Sequence, residues 1–433
     1  MKKRHLAVAC SIGLTALLAL TACAGSSAGS SSSSHKGSTL TVWLMQDTLT
    51  SDSQAAIVSA FEKKTGAKVK VEIQQWDNIN TKLTSALATD TPPDVIEIGN
   101  TDVPLFAANG ALMDVTSQKK AISGGNSWLT GLEGPATVEG KLYAAPFYAG
   151  TRAVIYNKKT WSDAGITQPP ASYTDLTADL DKLKAANPAA DFSPIYLTGT
   201  YWYNALSFLY DAGGKLASEK GGKWTADLST PESQKGLSNF KAFQNKYSTA
   251  ASQSAPMDTP NPVDVIGTGK AATIMGNGNA LKTLVKSHPE LQGQIGSFPF
   301  PSQMSPGKNM PNFLGGSDIA VAAKSKNQDL AVQFLTYIDS PKVQLDQISA
   351  LDGHIPVSQS LIDQATKTLP DEMKAFYSSA KLSISTPATP GWATIESDNS
   401  VVDFFSQIAT GSKSVQQAAA DFDKHLQTAL NAK

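Results

Sequence analysis

The sequence predicts an α/β protein of two lobes, the first built on a parallel sheet covered by helices. Three observations lead there. Residues 40–98 carry strand and helix patterns in the order β-α-β-α-β, the arrangement of a parallel, helix-covered sheet. Near Tyr148 the chain changes character, giving way to helices rich in aromatic residues such as Tyr201-Trp202-Tyr203-Asn204-Ala205-Leu206-Ser207-Phe208. Past the N-terminal segment about 395 residues remain, in a chain of 41% hydrophobic composition, enough for two domains with cores of their own.

The chain opens with Lys2, Lys3 and Arg4 ahead of an uncharged apolar run at 6–20, which is the layout of a secretory signal. That run has 15 residues, short of the roughly 20 that a bilayer-spanning helix needs, so a permanent transmembrane anchor is not expected. Leu20-Thr21-Ala22-Cys23 resembles the lipobox of bacterial lipoproteins, in which the cysteine thiol receives a diacylglycerol. The other cysteine, Cys10, lies inside the signal segment and leaves Cys23 without a disulfide partner, so acylation is its expected chemistry. Eight serines and no large apolar side chain fill residues 24–38, a composition that stays a flexible coil and reads as a tether. These assignments give a signal peptide at 1–22 and a lipidated, serine-rich tether at 23–37.

Residues 40–44, Leu-Thr-Val-Trp-Leu, read as a buried strand in which Trp43 is a core residue. Residues 51–64 read as a helix with Ile57, Val58 and Phe61 on one face and Gly66 just past its end. A strand alternating apolar and charged residues follows at 67–73, then a helix at 77–89 with Ile79, Leu83 and Leu87 spaced by four, then a strand at 93–98. In open sheets of this kind ligands bind beyond the carboxyl ends of the strands. The loops there, Met45-Gln46-Asp47 and Gly99-Asn100-Thr101, are short and polar. Later, 318–322 reads as one more strand, 328–338 as a helix with Leu330, Phe334 and Ile338 on one face, and the segment from Val401 as helical.

Charge narrows the partners. Discounting Lys2, Lys3 and Arg4, 33 basic residues face 37 acidic ones, and no basic run or Lys/Arg-rich helix occurs, so nucleic acid is excluded as a partner. A neutral solute is the expected ligand.

Several segments together carry a family resemblance. They are Leu40-Thr41-Val42-Trp43; Phe61-Glu62-Lys63-Lys64-Thr65-Gly66 ahead of Val69-Lys70-Val71; Thr91-Pro92-Pro93-Asp94-Val95; Ile155-Tyr156-Asn157-Lys158; and Ala331-Val332-Gln333-Phe334-Leu335. In this order and spacing the chain resembles the family 1 extracellular solute-binding proteins of ABC transporters, the carbohydrate-binding group that includes maltose-binding protein. The resemblance implies a type II periplasmic-binding-protein-like fold with three hinge crossings, near 147–149, 315–318 and 352–356, and a ligand cleft between the lobes. Lobe I would take 38–147 and 317–354, and lobe II 148–316 and 355–433. The implied partners are a carbohydrate, from mono- to short oligosaccharide, and the permease subunits of an importer. The protein would be a monomer on the extracellular face of the cell membrane, touching that membrane through its lipid alone.

By position, Gln46, Asp47, Asn100 and Thr101 are expected to meet the ligand from the first lobe. Tyr148, Arg152, Trp202, Asn277, Trp392 and the Gly316-Ser317 turn are expected to meet it from the second. The types suit a sugar, whose hydroxyls take Asp, Asn, Gln and the forked Arg and whose C–H faces stack on aromatic rings. Trp76, Trp128, Trp161 and Trp224 are expected to be packing residues. Where maltose-binding protein has an aromatic ring after an Asn-Gly-Pro-like turn, this chain has Gly276-Asn277-Gly278-Asn279, a departure that speaks against maltodextrin. Short N-acetylglucosamine, cello- or xylo-oligosaccharides stay open.

Two other classes compete. A secreted glycoside hydrolase would need a carboxylate pair such as Asp47 with Glu396, which nothing in the sequence forces together, and a peptide-binding lipoprotein would use a similar polar and aromatic cleft. Gly25-Ser26-Ser27-Ala28-Gly29 matches a nucleophile elbow in letters only, since it has neither strand before it nor helix after. The histidines of the mature chain are scattered without a Cys or acidic cluster, so no metal site, cofactor or catalytic residue is expected.

Overall fold

The computed structural model describes residues 35–432; the signal peptide, Cys23 and the serine run lie outside the described residues. The expected opening order is present: β1 (Thr39–Met45), α1 (Ser51–Thr65), β2 (Lys68–Gln74), α2 (Ile79–Ala88) and β3 (Val95–Gly99). β1 pairs in parallel with both β2 and β3. The Thr50 hydroxyl caps α1 by accepting from the Ser53 N–H, and the helix ends at Gly66, whose φ of 76° puts it in the left-handed region that glycine enters without strain. Its apolar stripe seats Phe61 edge-on against Phe334, ring centroids 5.0 Å apart.

β4 (Ala145–Gly150) lies at the far edge of this sheet, and after Thr151 the chain continues as β5 (Arg152–Asn157) in a second sheet. Next come α3 (Trp202–Asp211), β6 (Thr273–Asn277), α4 (Gly278–Ser287) and β7 (Ile295–Phe298), with β6 and β7 antiparallel to β5 on either side. β8 (Gly315–Val321) returns to the first sheet, whose order is β2-β1-β3-β8-β4, and runs antiparallel to both neighbours.

The first two expected crossings lie side by side, and the 352–356 segment runs along them. Ala149 of β4 pairs with Gly316 of β8 and bridges Ile355, with backbone hydrogen bonds of 2.8 and 3.0 Å in the two directions. At Gly316, φ is 135° and a Cβ would stand 2.2 Å from the Tyr148 carbonyl oxygen, so only glycine fits between the crossing strands.

The third passage comes later than the expected boundary at 354/355. The Leu129 N–H donates to the Val357 carbonyl at 2.9 Å, Ser358 bridges Trp128, and α5 (Gln359–Ala365) stays with the first lobe because Val357 and Ile362 are fully buried there. α6 (Asp371–Ala380) is the first element after it to pack on β5 and β7. α7 (Pro390–Ser397) and the helices Ser400–Thr410 and Val415–Leu430 complete the second lobe. Its core is an aromatic cluster in which Trp202, Trp392, Phe240 and Phe405 are buried.

Candidate binding cleft

A cleft opens where the crossing strands meet, and it has two chambers. One of about 800 Å³ is lined by Asp47, Tyr148, Asn277, Lys282, Ser317 and His354 among others. The other, of about 470 Å³, is lined by Asn100, Thr101, Asp102, Trp202, Tyr203 and Glu396. Trp76, Arg152, Gly315 and Gly316 belong to both, so they form the waist between them. The loops after β1 and β3 supply Asp47 and residues 100–102, which is the carboxyl-end placement that the strand order predicts.

The floor is a buried polar network. Glu97 on β3 is fully buried; its Oε2 accepts the Met45 N–H and its Oε1 the Thr48 hydroxyl, each at 2.8 Å. Burial pushes this carboxyl above its ordinary range, and those donors pull the other way. The Tyr148 hydroxyl approaches Glu97 Oε1 at 3.5 Å and accepts from Ser317 Oγ at 3.1 Å. Burial and the adjacent Glu97 carboxyl keep the phenol protonated well above its usual range. Tyr148 stacks on His354, centroids 4.1 Å apart. Burial lowers the His354 pKa, and its Nε2 lies 2.8 Å from the Thr48 carbonyl, so the neutral ring carries its proton there.

Arg152 stands at the waist. Its Nε donates to the Tyr201 hydroxyl at 2.8 Å and its guanidinium lies 4.0 Å from the Tyr203 ring centroid, a fork fixed by cation–π contact. Asn277 caps α4, accepting the Ala280 N–H at 2.9 Å, and stays exposed on the first chamber. Asp47 is exposed there at a left-handed φ of 64°. Asp47 and Glu396, weighed as a hydrolytic pair, line different chambers.

Three expected contacts sit otherwise. Trp392 is 0% exposed and forms no wall of either chamber; it packs beneath Trp202, centroids 5.9 Å apart, because Pro390 starts a helix rather than a turn. Trp202 reaches the second chamber but is 2% exposed, its ring covered by Tyr203 at 4.0 Å. Gln46 is exposed and lines neither chamber. Asn100 does line the second chamber, yet its amide donates to the Leu314 carbonyl at 3.1 Å and ties the turn after β3 to the residue that leads into β8.

The ring that sequence reasoning missed is Trp76. It is 44% exposed and lies at the waist, whereas Trp128 and Trp161 are buried with their indole N–H groups donating to Asp339 and Thr273. Its position on the loop after β2, among Gln74, Gln75 and Asp77, was the available signal: a large aromatic in a polar loop at a strand's carboxyl end. Tyr203, the neighbour of Trp202, was passed over in the same way.

Two lobes, adjacent crossing strands and a polar, aromatic cleft at their junction define a two-lobe solute-binding protein. The chain belongs to the bacterial extracellular solute-binding proteins, whose family model matches residues 46–345. Among its relatives is the diacetylchitobiose binding protein DasA of Streptomyces coelicolor, 34% identical over 98% of this chain and 99% of that one. A galactooligosaccharide-binding protein of Bacillus subtilis is 24% identical over 86% of this chain and 85% of its own length. The sugar-binding protein MalE of Xanthomonas citri has the same fold, with a TM-score of 0.78 at 22% identity over 91% of this chain and 97% of that one. A cyclo/maltodextrin-binding protein solved with maltotetraose gives 0.74 at 20% identity, covering 90% and 96%. Membership makes the chain an extracellular or periplasmic solute-binding component of an ABC transporter and not an enzyme.

Proposed function

We propose that the cleft captures a short oligosaccharide, with N-acetylglucosamine disaccharide the first candidate, and delivers it to the permease of an importer. The observation that carries this reading is the mixed lining: exposed Trp76 offers a ring face, while Asp47, Arg152, Asn277 and Thr101 offer hydrogen-bonding groups from both lobes. The relatives that bind diacetylchitobiose and galactooligosaccharide support the class of ligand. The protein acts as a monomer held to the outer face of the membrane by a diacylglycerol on Cys23, with the serine run letting the lobes sit away from the bilayer.

Calorimetric titration of the tetherless protein with a panel of sugars, peptides and amino acids tests the reading, together with small-angle scattering. Saturation by a disaccharide with a smaller radius of gyration is the expected result. Binding of a peptide and of no sugar would move the protein to the competing class.

A further inference from the structure

His354 lines the first chamber and carries a ring nitrogen that none of the described residues uses. Its Nε2 lies 2.8 Å from the Thr48 carbonyl oxygen, which can only accept, so the ring's proton is on Nε2. Nδ1 is then the unprotonated nitrogen and an acceptor. Among the described residues it makes no hydrogen bond, yet it is not enclosed by protein. A group on a ligand in the chamber is the partner that remains.

The ring is held in place before any ligand arrives. It stacks on Tyr148, with centroids 4.1 Å and planes 22° apart. The backbone on both sides is pinned: the Ile355 N–H donates to the Ala149 carbonyl at 3.0 Å, and Asp352 Oδ1 accepts both the N–H and the hydroxyl of Thr50 at 2.9 Å. From the second lobe, Lys282 on α4 donates through Nζ to the Asp352 carbonyl at 3.1 Å. At Gly353 a Cβ would stand 1.8 Å from that Nζ, so the lysine lies directly against this segment. A fixed acceptor beside a lysine charge suits a neutral donor, a hydroxyl or an amide N–H, and disfavours a cationic one. Burial keeps the imidazole neutral, Lys282 acts in the same direction, and the Thr48 carbonyl and Asp352 oppose it.

We propose that His354 is a ligand-binding residue whose Nδ1 accepts a hydrogen bond from a hydroxyl or acetamido N–H of the sugar ring in the first chamber. This rests on the reading of the cleft as a sugar site and adds to it a residue that both lobes hold in place. The two ring nitrogens then have separate tasks: Nε2 fastens the loop that carries Asp47, and Nδ1 reads the ligand.

Two substitutions separate these tasks. A glutamine amide nitrogen reaches the place of Nε2 and keeps the Thr48 bond with no acceptor at Nδ1, whereas an asparagine amide oxygen reaches the place of Nδ1 and gives up the Thr48 bond. The whole mature chain is titrated by calorimetry with the N-acetylglucosamine dimer, cellobiose and xylobiose, and the tightest of these is used on the variants. His354→Gln should bind it about ten-fold more weakly at pH 7, and His354→Asn should recover most of that loss while melting lower than His354→Gln. In wild-type protein isotope-labelled at the histidine nitrogens, the Nδ1 resonance should move on saturation with the sugar and the Nε2 resonance should hold. This readout needs no variant and stands where one fails to fold. A His354→Gln protein that binds like wild type, or an Nδ1 resonance that stays in place at saturation, overturns the assignment and leaves the sugar reading intact. If none of the three sugars binds, the sugar reading falls and this residue's role with it.

Discussion

Trp76→Ala should weaken sugar binding by about ten-fold and leave stability almost unchanged. The indole is 44% exposed at the waist of the cleft, where a ligand that enters both chambers must pass it. Of the roughly 250 Å² of a large aromatic side chain, that leaves roughly 110 Å² open to water, of which a sugar on one face covers about half. At about 25 cal/mol per Å² the contact contributes about 1.4 kcal/mol, one decade in affinity. Trp392 is the control. Fully buried beneath Trp202, it should give the opposite pattern, a loss of about 3 to 5 kcal/mol of stability on substitution by alanine. Titration calorimetry and thermal unfolding of the two variants separate these effects. Ligand-induced change in tryptophan emission adds a third measurement, because Trp76 is the exposed indole in the cleft and should carry most of it. A Trp76→Ala protein that keeps wild-type affinity and the full emission change would refute the assignment of Trp76 to the ligand.

Asp47→Ala should cost about 1.5 to 3 kcal/mol of binding, read by the same titration, since a sugar hydroxyl would lose its charged acceptor. Burial pushes the Asp339 carboxyl up to about 8, against the opposing Trp128 indole at 3.0 Å, so the folded chain keeps a proton that the unfolded chain releases near pH 4. Its contribution is therefore fully present below that pH and falls by about 1.4 kcal/mol per pH unit up to about 8; Asp339→Asn should melt above wild type at pH 7.5 and close to it at pH 4. Cys23→Ala should move the protein from the detergent phase to the aqueous phase in a partitioning experiment, and equal partitioning would sink the lipid anchor.

Much of the first lobe was legible because each local signal agreed with the next. Alternation in residues 67–73, four-residue apolar spacing in 77–89 and glycine at 66 all belong to β-α-β units whose hydrophobic faces the sequence writes out directly. The site was less legible because side-chain direction depends on packing that sequence spacing does not carry. Trp202 and Trp392 look alike in sequence, aromatic residues near Thr, Pro and Gly, but an aromatic cluster buries both of them, and only Trp202 still reaches the chamber, beside Tyr203. The late third crossing has a similar cause: Ile355 touches the hinge strand, and only the burial of Val357 and Ile362 keeps the next helix on the first lobe.

The hinge and the cleft floor share residues, and this couples ligand to closure. Gly315 and Gly316 begin β8 and line both chambers; Tyr148 sits on β4 with its hydroxyl bonded to Ser317 and its ring stacked on His354. The Thr48 hydroxyl and the His354 ring join the same network, so the loop after β1 that carries Asp47 is fastened through Glu97 and Tyr148 to the first two crossing strands and directly to the segment at 354. A rotation of the lobes would bend the backbone at 150–152, 315–316 and the passage between α5 and α6, and leave the network beneath the first chamber intact. A ligand that touches Asp47 on one side and Arg152 or Asn277 on the other then has more contacts in the closed arrangement than in the open one. Only that difference in contact, and not the tightness of binding to either lobe alone, can move the population toward the closed form.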